Sequence, residues 1–112
     1  MNESVERVSA CLADLVRAAL VSDDRRSLEF RDAARKGLAA LTADPPDPGS
    51  VRIDGAWTFG IRAAESPEMA AEEGRVNLTL PQDSPFTLAE LVDPAFDVDA
   101  AVERIANSAS TG

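Results

Sequence analysis

The chain has no histidine and no tyrosine, a single cysteine, one tryptophan and four phenylalanines. Without histidine, the side chain most used for acid–base work near neutral pH is missing, and neither a Cys–His nor a Ser–His nucleophile pair can be built. The Cys and His sets that hold structural zinc are missing for the same reason. Cys11 has no partner for an intrachain disulfide, and its place between Ala10 and Leu12 in a helical pattern reads as a small buried hydrophobe. No apolar run approaches the roughly 18 to 20 residues needed to span a bilayer. The first residues carry acids instead of a basic leader, so no secretory signal is expected and a cytoplasmic location is. No glycine-rich loop leads into a helix as phosphate binding requires. No cofactor, metal or catalytic residue is therefore expected.

Basic residues are also scarce. Eleven Lys and Arg stand against twenty Asp and Glu, giving a net charge of −9 and a pI near 4.3. Such a surface repels a phosphate backbone, and the densest basic stretch, Arg25, Arg26, Arg31, Arg35 and Lys36, is broken by Asp23, Asp24, Glu29 and Asp32. That interleaving reads as a solvated helix face with intrahelical pairs, and direct nucleic-acid binding is not expected. Lys36 is the single lysine, a bias toward arginine that points to a GC-rich, bacterial coding sequence.

What is present fits one domain of 112 residues with a 45% hydrophobic fraction. Ser4 can cap a helix over 4–21, in which Val5, Val8, Leu12, Leu15 and Ala19 recur at alternating spacings of three and four. Leu28, Phe30, Ala34, Leu38 and Leu41 form a second apolar face, so the pattern predicts an antiparallel hairpin if the chain turns at 22–24, or one bent helix if it does not. Three prolines in 44–50 end this helical part, 1–43, and form a connector. From Val51 the large apolar residues Val51, Ile53, Trp57, Phe59 and Ile61 share one parity, which predicts a long half-buried strand. A short helix over 67–73 and a second strand over 75–80 follow. Thr87 and Glu90 form a capping box for a short helix, and a last helix starts near Asp97 to Asp99, with 109–112 as a frayed tail.

The expected fold class is therefore α+β: a helical hairpin, then a small two-stranded, antiparallel sheet with a helical insertion and two short C-terminal helices over 51–108. Asp54 and Glu65 are the one pair of carboxylates placed to be an acid and base, although solvation explains them more simply, and Asp93, Asp97, Asp99 and Glu103 lack the spacing of a cation loop and suit helix caps. The residue pattern favours a small acidic non-catalytic module that binds another protein chain, as an accessory subunit, adaptor or inhibitor. Val8, Leu12, Leu15, Trp57 and Phe59 are the candidate interaction residues, and the apolar stripe and sheet edge also suit a homo-oligomer. The alternatives are a small-molecule-binding or enzymatic domain with an apolar pocket near Trp57, and an acidic mimic of nucleic acid.

Overall fold

A computed structural model describes residues 3–21, 23–65, 78–108 and 110–111. It is built from helices: α1 (Glu3–Leu20), α2 (Asp24–Ala43), a 3-10 turn at Pro48–Ser50, α3 (Ile53–Ala64), α4 (Leu88–Leu91) and α5 (Val98–Ser108).

The first turn of α1 carries Glu3 and Glu6 and its last turn Arg17, the order that the helix dipole favours. The chain breaks before α2 because Asp23 is a cap: extended itself, it accepts hydrogen bonds from the backbone amides of Arg25 and Arg26. The hairpin is antiparallel. Arg7, near the start of α1, donates to the carbonyls of Ala40 and Asp44 at the end of α2, at 3.2 and 3.1 Å. At the other end the Ser27 hydroxyl donates to the Ala18 carbonyl at 3.0 Å. After α2 the proline connector turns on Asp47, whose side chain accepts from Gly49 N.

Residues 53–64 correct the strand expectation: they are helical, and the fold is helical, not α+β. The period-two reading counted only the large apolar side chains. Counted with the small ones, Ile53, Ala56, Trp57, Gly60, Ile61 and Ala64 make a three-four stripe, and Ala56, Trp57, Gly60 and Ala64 are its buried members. Phe59, which gave the parity much of its weight, faces outward at 38% exposure. The expected two-stranded sheet is absent among the described residues. The only ladder there is a two-residue antiparallel pairing of Leu78–Thr79 with Ser110–Thr111, which involves no residue of 51–62 and is too short to be a structural layer. The predicted helix over 67–73 and residues 75–77 of the second strand fall outside the described residues; of the rest of that strand, Leu78–Thr79 is extended, but it pairs with Ser110–Thr111 and not with residues of 51–62.

α1 is the central helix. It buries Val8, Ser9, Cys11, Leu12, Ala13, Leu15, Val16, Ala18 and Leu20, more than one face of a helix can offer, because α2, α3 and α5 all pack on it. Two glycines set the spacing. A Cβ on Gly37 of α2 would stand 2.7 Å from Cys11 Sγ, and one on Gly60 of α3 would meet Leu12 Cβ at 3.1 Å and the Ser9 carbonyl at 3.2 Å. α3 runs in the same sense as α1, since Gly60 faces Leu12 while Arg17 donates to the carbonyl of Ala63 at 3.1 Å. Arginines of α1 thus satisfy the terminal carbonyls of both neighbours. A single apolar cluster runs from Val8 to Ile105 and includes Leu41 and Val51, so the connector joins two parts of one core.

The C-terminal third is held by short-range caps. Thr87 and Glu90 form the reciprocal capping box of α4. Asp93 accepts from Ala95 N at 2.8 Å, and Asp97 caps α5 through the amides of Asp99 and Ala100. Arg104 then ties α5 to α4, donating to Glu90 at 2.8 Å and to the Pro85 carbonyl at 3.2 Å while lying over the Phe86 ring. No helix among the described residues is long and apolar enough to cross a membrane.

Candidate functional site

The structure separates the five expected interaction residues. Val8, Leu12 and Leu15 are fully buried in α1 and spend their apolar surface on the chain's own core, as does Trp57 on α3. Phe59 alone has surface to offer, with the guanidinium of Arg62 5.9 Å from its ring centroid. A partner surface built directly from the α1 stripe is incompatible with this packing.

Asp54 and Glu65 do line one open depression, yet they do not form a dyad. They sit eleven residues apart on a helix that rises about 1.5 Å per residue, so their backbones are about 16 Å apart along the axis, against roughly 5 to 9.5 Å for carboxylates flanking one reacting bond. Asp54 is also engaged, accepting from Ser84 N at 3.0 Å. Asp93 and Asp97 serve as turn and helix caps. Asp99 receives Arg31 at 2.8 Å and Arg35 at 3.0 Å; the hydrogen bond from Arg31 first, with the charge of both arginines, holds its carboxyl below the usual range. Among the described residues no three His, Cys, Asp or Glu side chains gather as a metal site. Burial pushes the Cys11 thiol up to about 11, with the nearby Asp14 adding to the rise, which leaves it protonated and unreactive at neutral pH. Burial likewise raises Asp14, against the opposing hydrogen bond from Arg17.

An apolar pocket near Trp57 is among the sequence alternatives, but the walls of this depression are not anticipated there. It is a groove of about 770 Å³ between α3 and the segment 80–83, within the range of natural ligand and peptide sites. Helical period puts Asp54, Thr58, Ile61, Arg62 and Glu65 along one side, because steps of three and four keep residues on one flank. Leu80, Pro81, Gln82 and Asp83 form the other wall. That wall is fixed by two bonds to α3: the Trp57 indole Nε1 donates to the Pro81 carbonyl at 2.9 Å, and Asp54 accepts from Ser84. Trp57 therefore lies immediately beneath the groove while being shielded from solvent itself. Ile61, Leu80 and Pro81 give the groove apolar surface, and Asp54, Glu65 and Asp83 give it an acidic rim. Two smaller depressions, at Phe86, Glu90 and Arg104 and at Ser27, Arg31 and Asp99, are lined by side chains already spent on holding α5 in place. Comparison of the chain with protein-family models, with curated proteins and with solved structures finds no match.

Proposed function

We propose that this chain is a small, acidic, non-catalytic module that binds another protein, and that it receives a segment of that partner in the groove between α3 and residues 80–83. The observation that carries this reading is the groove: it combines apolar walls with a polar rim along a helix, and among its described residues none converge as a nucleophile or acid–base pair. The absence of histidine from the sequence, the separation of Asp54 from Glu65 and the buried, protonated Cys11 support the non-catalytic part. A lone buried thiol agrees with a reducing, cytoplasmic setting.

One observation favours a small-molecule reading as the second choice. The only tryptophan is hydrogen-bonded to a groove wall, so a metabolite seated on Pro81 has a natural reporter beside it. The acidic-mimic reading is less supported, because Arg26, Arg35 and Arg104 interrupt the negative surface in ion pairs with Glu29, Asp32 and Glu90.

The test is quantitative affinity purification of the tagged full chain and of Thr58→Arg from native lysate. Thr58 is exposed and lies in the groove, so the arginine fills it without touching the core. A stoichiometric partner retained by the wild type and lost with Thr58→Arg supports the proposal. A partner kept equally by both, or metabolites that shift Trp57 emission where no protein is retained, would overturn it.

A further inference from the structure

We infer that the segment received by the groove is cationic and apolar together: a stretch of a partner protein presenting an aliphatic side chain flanked by lysine or arginine. This rests on the groove reading above and adds the chemistry of the occupant. Asp14, Glu29, Asp32, Asp44, Glu90 and Asp99 each pair with an arginine of this chain. Asp23, Asp47, Asp93 and Asp97 are spent on caps and turns. Glu3, Glu6 and Asp24 stand in the first turns of α1 and α2, where the helix dipole favours them, and Glu103 on α5 is exposed without an ion pair among the described residues. The groove is where such acids gather beside apolar surface. Glu65 and Asp83 pair with no cation among the described residues, and Asp54 meets only a backbone amide. The one cation on that flank, Arg62, directs its guanidinium to the ring of Phe59.

Three carboxylates thus stand against one arginine at the rim of an apolar depression, on a chain whose net charge of −9 already draws cations toward it. An occupant lacking positive charge gains only the contact with Ile61, Leu80 and Pro81, while one lacking an apolar side chain gains only screened surface pairs. A protein segment carrying both uses both, and to meet both Asp54 and Glu65 it must span roughly 16 Å along α3.

The experiment titrates the isotope-labelled full chain with three synthetic peptides of equal length, one of alternating Lys and Leu blocks, one of Glu and Leu, and one of Lys and Ser, and also with spermidine. The expected result is saturable one-to-one binding of the Lys–Leu peptide alone, with amide shifts at Asp54, Thr58, Ile61 and Leu80 and a change in Trp57 emission. The double variant Glu65→Gln, Asp83→Asn, which alters exposed side chains only, weakens it about two- to tenfold, as expected for losing two exposed ion pairs. Raising salt from about 50 to 300 mM weakens it further. Three results overturn the inference. Equal binding of the Glu–Leu peptide, abolished by Thr58→Arg, would leave the groove as a docking place and remove the charge preference. Equal binding of spermidine would assign the acids to a free polyamine. Lys–Leu binding that ignores Thr58→Arg and shifts residues elsewhere would remove the groove itself, and the function proposed for it.

Discussion

Gly37 and Cys11 provide a sharp test of how α2 sits on α1. A Cβ at 37 would lie 2.7 Å from the Cys11 sulfur, closer than real Cβ atoms come to a neighbour, and Cys11 is itself buried with little room to rotate away. On an open helix surface Gly→Ala gains about 1 kcal/mol from backbone entropy. Here the clash is an overpacking of the core, which costs about 1 to 3 kcal/mol, so Gly37→Ala alone is expected to be neutral or to destabilise by up to about 2 kcal/mol. Cys11→Ala alone removes a buried sulfur and costs about 1 kcal/mol. In the double variant the new Cβ enters the space the sulfur vacated, the clash disappears, and the helix gain returns, so the two changes are coupled by about 1 to 3 kcal/mol in the favourable direction. Urea unfolding of the four proteins, followed by Trp57 emission with unchanged slopes, measures the cycle. If Gly37→Ala has the same effect in both backgrounds, to within about 0.5 kcal/mol, the packing of α2 on α1 described here is wrong.

Further predictions concern α3 and two titrating groups. Gly55 has open space, with Arg52 Cβ at 3.9 Å, whereas Gly60 lies against the backbone of α1; Gly55→Ala should raise the urea midpoint by the equivalent of about 0.5 to 1 kcal/mol and Gly60→Val should lower it by about 2 to 4 kcal/mol. With its thiol pushed up to about 11, Cys11 should resist a thiol-specific disulfide reagent at pH 8 and react only at the rate of unfolding, which stopped-flow modification across a urea series will show. Glu90 is held below its ordinary value by the hydrogen bond from Arg104 first and the Thr87 amide second. Its contribution to stability is therefore fully present above the ordinary carboxyl value and is lost as pH falls through the lowered folded value; melting curves of wild type and Glu90→Gln should differ most at neutral pH and draw together as the solution is acidified through that value.

The parts legible in the sequence were those governed by local chemistry. The capping box of Thr87 and Glu90, the cap at Asp97 and the proline boundary depend on residues two or three apart, and they stand where the pattern puts them. The turn after α1 also falls in the expected span, with Asp23 as the capping residue. Residues 53–64 escape a pattern that weighs large side chains above small ones. The helix face of α3 is carried by Ala56, Gly60 and Ala64, whose value lies in allowing α1 to approach, and a hydrophobicity pattern gives such residues no voice. The stripe of Val8, Leu12 and Leu15 announced burial without naming what buries it; α2, α3 and α5 together cover it, and nothing remains for a partner. A pocket near Trp57 is among the sequence alternatives, but the walls of the groove were illegible for a different reason. Its second wall arrives from residues 80–83, placed by a hydrogen bond between positions 24 apart in the chain, and no local pattern encodes that meeting.

The most direct test of the account is photo-crosslinking from Thr58, on the groove, and from Ala33, on the outer face of α2, in two otherwise identical full-length proteins. Both positions are exposed, so the fold tolerates the probe at each. The account predicts one partner protein crosslinked from position 58, through a segment rich in lysine or arginine beside an aliphatic residue, and background alone from position 33. Crosslinking of the same protein from position 33, or a specific adduct at 33 with none at 58, would contradict it.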